Sequence, residues 1–135
     1  MTASSGVLTL ALPGVTPPSF NAVGYTGNRW ALTRAVKMWK QRLEQELMVA
    51  RLPLRCAHVH ADARLVFPKP RTRDAENHRV VLSKALGDSL TGDRRAWPEG
   101  HYLPDDDERY FTFGRVEFAH EPHERRTEIV LTYTR

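Results

Sequence analysis

Carboxylates and basic side chains crowd together at two places in this chain, and the combination suits phosphodiester chemistry. The first is Lys69-Pro70-Arg71-Thr72-Arg73-Asp74-Ala75-Glu76-Asn77, and the second is Asp105-Asp106-Asp107-Glu108. Carboxylates gathered in one site repel each other unless a cation neutralises them. If folding brings the two runs together, Asp74, Glu76 and one or two of the later aspartates make an oxygen-rich site suited to Mg²⁺ or Mn²⁺. Such an ion polarises a phosphodiester, activates water as nucleophile and stabilises the leaving oxygen. Lys69, Arg71 and Arg73 would then contact phosphates beside the scissile bond, giving salt-sensitive affinity without reading sequence. The plainer alternative is that Asp74 caps a helix while Glu76 answers its dipole. On charge grouping alone that alternative is the stronger one.

Other reactive residue types carry less. His58 and His60 fall on one face of an expected strand and could in principle bind a metal. With no second-shell partner visible in a sequence they read as solvent-facing, as do the scattered His101, His120 and His123. The single cysteine, Cys56, can form neither an internal disulfide nor a thiolate zinc site and reads as a small buried hydrophobe. Trp39 lies on an apolar stripe and belongs to the core. Trp30 and Trp97 fall in expected loops, where an aromatic ring could stack on an unpaired base.

The elements that must position these residues follow from hydrophobic period. Val7 to Leu12 reads as a strand closed by Pro13-Gly14, and residues 16–28 as an extended loop rich in turn formers. From Ala31, the residues Leu32, Val36, Trp39, Leu43, Leu47 and Ala50 recur at helical spacing, predicting a long amphipathic helix that ends before Pro53. Ala57 to Phe67 alternates apolar and polar residues as a strand with one buried face, stopped by Pro68 and Pro70. Beyond Asp74, the residues Val81, Leu82, Ala85, Leu86 and Leu90 mark a second helix ending at Thr91-Gly92. Residues 91–109 read as a long irregular surface loop. Tyr110 to Ala119 and Thr127 to Tyr133 are expected to be strands joined as a hairpin. Phe111 and Phe113 are out of phase with Val116 and Phe118, which predicts a β-bulge near Gly114.

The order βαβαββ predicts an α/β (α+β) domain with a mixed sheet of about four strands and both helices packed on one face. At 135 residues the chain is the length of a single domain, spanning 1–135. It has no stretch of about 20 apolar residues and no signal-peptide pattern at its start, so the expected setting is cytoplasmic and away from membranes. The formal charge of +4 and pI near 9.6 suit an anionic partner.

Four fragments in order give the chain a resemblance to the RusA-like Holliday junction resolvases of bacteria and phages. These are Pro17-Pro18-Ser19-Phe20-Asn21 with Tyr25 after it, Arg73-Asp74-Ala75-Glu76-Asn77, Lys84-Ala85-Leu86-Gly87-Asp88-Ser89-Leu90, and Asp106-Asp107 ahead of Tyr110. The likeness runs from the first strand to the last. It implies a homodimer, in a bacterial or phage-infected cell, that binds a four-way DNA junction and nicks two opposing strands with Mg²⁺ or Mn²⁺. Two-fold symmetry would explain paired cuts. By position, Asp74, Glu76 and Asp107 resemble the metal-binding carboxylates, with Asp106 assisting. Lys84 resembles the essential lysine, and Asn77 joins Lys69, Arg71 and Arg73 on the DNA side.

Two departures matter. Glu76 stands where the family has Asp, keeping the ligand but adding a methylene. Lys84 lies four residues beyond the family position, roughly 6 Å farther along a helix. Val80 occupies the unshifted place, with Arg79 as an understudy. The alternative reading is a non-catalytic branched-DNA-binding protein derived from such a nuclease. A third is a small α/β domain whose charges are only caps and loop decoration.

Overall fold

The fold is that of a computed structural model describing residues 5–18, 29–70, 75–92 and 101–135, with the side chains of 29 and 75–77 outside the description. Its elements are β1 (Ser5–Pro13), α1 (Arg29–Ala50), β2 (His58–Phe67), α2 (Ala75–Thr91), β3 (Phe111–His120) and β4 (Arg126–Thr134). The order is the βαβαββ expected. Among the described residues no helix is long and apolar enough to cross a membrane.

Strand alternation becomes a two-faced sheet. Leu10 and Leu12 of β1, Val59, Ala61, Ala63 and Leu65 of β2, Phe111 and Phe113 of β3, and Ile129 and Leu131 of β4 are all buried. They meet Val36, Trp39, Leu43 and Leu47 of α1 and Val81, Leu82, Ala85, Leu86 and Leu90 of α2 in one core. The helices pack on each other, α1 also against β1 and α2 against β3. Residues of the opposite phase, such as Thr9, His60, Arg64 and Glu128, stay at least partly accessible on the open face.

The spatial order is β1-β4-β2-β3. β4 runs antiparallel to both β1 and β2, and β3 runs parallel to β2. The expected hairpin of the last two strands is therefore not formed. β3 and β4 flank β2, and their connection crosses its end, where the Glu121 amide donates to the Phe67 carbonyl at 3.1 Å. The physical reason lies in β1 and β2, which point the same way with a one-strand gap between them. A hairpin would leave their facing edges unpaired, whereas β4 in the gap satisfies both. Two strand spacings are about 10 Å, a distance a short connection can span.

The expected bulge is present. Ala61 pairs with Phe113 but Ala63 pairs with Val116, so β3 carries one extra residue there. This brings Val116 and Phe118 back into phase with Phe111 and Phe113, opposite the buried Ala63 and Leu65. A Cβ on Gly114 would lie 2.3 Å from Asp62 Oδ1, so a side chain here would have to displace the Asp62 carboxylate.

Both helices end in left-handed residues. Gly92 (φ 64°) closes α2, its amide donating to the Asp88 carbonyl at 3.0 Å. α1 ends in a Schellman arrangement, with Leu52 N donating to Leu47 O at 3.3 Å and Arg51 N to Met48 O at 3.2 Å. The left-handed residue here is Arg51 (φ 60°), whose Cβ makes that conformation costly. Replacing it by glycine (Arg51→Gly) is expected to raise unfolding stability by about 1 kcal/mol. In thermal denaturation that amounts to a gain of about 3–5 °C.

Candidate functional site

The parallel pairing of β2 and β3 governs where the two acidic runs lie. The first follows the C-terminal end of β2, where Pro68 withdraws the chain from the sheet. α2 then travels back along the sheet, and β3 starts beside Val59 at the opposite end of β2. Asp105, Asp106 and Asp107 precede that start. A Cβ on Gly87 would be 3.4 Å from both Cβ and Oδ2 of Asp106, so this aspartate is seated on α2 at Gly87. Glu76 lies eleven positions earlier, roughly 16 Å along the helix axis. Carboxylates sharing one ion must bring oxygens to within about 2.1 Å of it. Glu76 and the seat of Asp106 are thus held apart by most of the length of α2, and Asp74 lies outside the described residues.

The late acidic run has local partners. Asp107 Oδ1 accepts from the Arg109 backbone at 2.9 Å, and its two oxygens take Nε and Nη2 of Arg109 at 3.1 and 2.9 Å. These bonds hold its carboxyl below the usual carboxylate range. Its carbonyl accepts from Tyr110 and Phe111, starting β3. Asp105 Oδ1 accepts from the Asp106 amide at 2.8 Å. Lys84 is exposed and stands one helical turn before Gly87, so it is nearer to Asp106 than to Glu76.

Of the residues at the other end, Arg71, Arg73 and Asp74 lie outside the description, as do the side chains of Glu76 and Asn77. Lys69 is exposed beside them. His78, one turn into α2, shows what surrounds that end. Its Nδ1 is 3.0 Å from the Pro17 carbonyl, which can only accept, so Nδ1 carries the hydrogen. The Pro17-Pro18 fragment and the turn bearing Glu76 and Asn77 are thereby joined. The His78 ring lies 5.7 Å from that of Phe67 and edge-on to Phe118 at 5.6 Å. The Arg125 guanidinium covers Phe67 at 5.5 Å and donates to Thr16 Oγ1 at 2.7 Å. An adjacent cleft of about 520 Å³ is lined by Trp39, Arg42, Gln45 and Arg125 among others.

His78, Arg42 and Arg125 were not singled out from sequence, because no periodicity or motif separates them from ordinary polar residues. Trp30 is in the first turn of α1 and exposed, rather than in a loop, while Trp39 is buried as expected and Trp97 lies outside the description. Cys56 is buried with its thiol donating to the Pro53 carbonyl at 3.1 Å, and burial pushes its pKa up. Among the described residues no three His, Cys, Asp or Glu side chains converge as a metal site.

Arg126, at the start of β4, gathers Glu121 and Glu128 at 2.7 Å, and also Glu124. Its hydrogen bonds pull the Glu121 pKa down to about 2, while the neighbouring Glu121 pushes Glu124 up. A depressed carboxyl contributes stability that is complete above its unfolded pKa and is lost as pH falls through the folded value. Glu121 therefore stabilises above about 4.5 and ceases to do so near 2, with Glu124 offsetting part of the effect. Arg126→Gln is expected to destabilise the fold at pH 7. Denaturant titrations should find that difference from the parent shrinking between about pH 4.5 and 2.

No protein-family model matches the chain, and no curated protein matches it significantly.

Proposed function

We propose that this chain is a metal-dependent, structure-selective endodeoxyribonuclease. Its substrate would be the four-way junction of DNA recombination and repair, cut as the RusA-like resolvases cut it. The observation that carries this reading is the seam at the N-terminal turn of α2. There the Pro17 carbonyl meets His78 and brings together two of the four fragments that support the family likeness. Lys69 and Arg125 flank the seam, and Arg71, Arg73 and Asn77 belong to the same stretch of chain. In this reading they would form a basic rim on which DNA phosphates rest.

The donor set of Asp74, Glu76, Asp106 and Asp107 consists of hard carboxylate oxygens, which fits Mg²⁺ or Mn²⁺. When bound, such an ion polarises the phosphodiester and lowers the pKa of an attacking water. The side chains supply the rest: Lys69, Arg71 and Arg73 hold flanking phosphates, and Lys84 stabilises charge on the phosphate from its place on α2. Because α2 separates the two acidic runs in one chain, we assign them to a shared site across a two-fold homodimer. Asp106 and Asp107 of one protomer would face Asp74 and Glu76 of its partner. Paired nicks would follow from two such sites.

The specific observation favouring the non-catalytic alternative is the engagement of Asp107 by Arg109, which spends the carboxylate on a turn. A junction-cleavage assay decides between the two. Asp74→Asn is expected to lower Mg²⁺-dependent nicking on the order of 10³-fold while junction binding survives. Parent protein that binds junctions but nicks none with Mg²⁺ or Mn²⁺ would establish the alternative.

Mixing tests the shared site. Asp74→Asn chains combined with chains carrying Asp106→Asn and Asp107→Asn should regain nicking, since one of the two sites in each mixed dimer is intact. Two inactive variants that stay inactive after refolding together would rule out ligands contributed across the dimer.

A further inference from the structure

The open face of the sheet holds a constellation away from the acidic runs. His60 and Asp62 follow each other on the outward side of β2, and His60 Nε2 lies 3.3 Å from Asp62 Oδ2. Two ligands at about 2.1 Å from one tetrahedral ion stand about 3.4 Å apart, so this pair has the spacing of a chelate. Both side chains remain substantially accessible, at 38% and 46%.

Each is also oriented from behind. His60 Nδ1 is 2.7 Å from Oγ1 of Thr112, its cross-strand neighbour on β3. Asp62 Oδ1 accepts from the Arg115 amide at 2.7 Å, within the bulge. A metal-binding imidazole needs such a partner for its second nitrogen, and a metal-binding carboxylate is commonly hydrogen-bonded in turn. The bulge also makes the room. A Cβ at Gly114 would lie 2.3 Å from Asp62 Oδ1 and 2.8 Å from His60 Nε2.

We propose that His60 and Asp62 form a surface site for Zn²⁺ or a related first-row transition ion. An imidazole nitrogen paired with a carboxylate oxygen suits that class better than Mg²⁺. Thr112 makes the site adaptable because a hydroxyl can donate or accept. In the tautomer with the proton on Nε2, Thr112 donates to Nδ1. With metal, the proton resides on Nδ1, Thr112 accepts it, and the Nε2 lone pair goes to the ion. The imidazole holds one proton in both states. Among the described residues no third His, Cys, Asp or Glu joins the pair, so an ion held there would keep positions open to solvent.

Calorimetric titration of Zn²⁺ into the full chain, with millimolar Mg²⁺ present to occupy the carboxylate runs, tests the site. Co²⁺ absorption provides a second readout. One ion per chain is expected, with His60→Gln and Asp62→Asn each weakening uptake at least tenfold. Thr112→Val should weaken it severalfold, and Gly114→Ala, although not a ligand, at least as much. Glu76→Gln should leave uptake unchanged, which separates this site from the proposed nuclease centre. Circular dichroism confirms folding of each variant. Absence of saturable Zn²⁺ uptake by the parent, or uptake retained in both the His60 and Asp62 variants, overturns the proposal.

Discussion

Because β2 takes β4 antiparallel on one side and β3 parallel on the other, the chain between β2 and β3 must travel the length of the sheet before β3 can start. α2 makes that journey, and its length sets the distance between whatever precedes it and whatever follows it. Glu76 belongs to the departure end, and Asp105 to Asp107 to the arrival end. The same pairing gives β2 a neighbour on both sides, so its inward residues are almost fully buried, while the outward His58, His60, Asp62 and Arg64 are polar and at least partly accessible.

Placing β4 in the slot between β1 and β2 has its own consequences. The crossing over the end of β2 collects Glu121, Glu124 and Arg126 close to Phe67 and Arg125. That end of the sheet also receives Pro17 against His78. Charged, aromatic and proline residues from distant parts of the chain thus meet beside the start of α2. At the Asp106 end the side-chain hydrogen bonds of Asp105 and Asp107 are to neighbours one or two positions away, while the backbone there is tied to β2 by Val59 N donating to Tyr110 O at 2.8 Å.

The two faces of the sheet divide the chemistry. The helical face is closed by aliphatic packing, and only its rim reaches DNA in the proposed nuclease. On the open face His60, Asp62, Arg64 and Glu128 stand among the exposed Val7 and Val130, and the β3 bulge interrupts the strand pairing at one place. There the missing side chain of Gly114 lets His60 and Asp62 lie over backbone, with Thr112 and Arg115 holding them from β3. A transition-ion site on that face would be independent of the carboxylate chemistry at the helix ends.

Most of the architecture was legible in the sequence, because helix and strand periods are local properties. Val36, Trp39, Leu43 and Leu47 announce α1, and alternation from Val59 to Phe67 announces β2. The phase break between Phe113 and Val116 located the bulge at Gly114, since one buried face tolerates no slip of register. The four fragments that support the RusA-like reading are likewise properties of the linear chain. Strand pairing is not. Thr127 to Tyr133 reads equally well as the partner of β3 or of β1 and β2, and only the open slot between those two strands decided it. Nor does a sequence contain the span of α2 as a separation in space, which sets Glu76 and the Gly87 seat of Asp106 roughly 16 Å apart along the helix axis. His60 was judged solvent-facing for want of a partner. Tertiary structure supplied that partner in Thr112, 52 positions away, because cross-strand contact depends on register and not on distance along the chain.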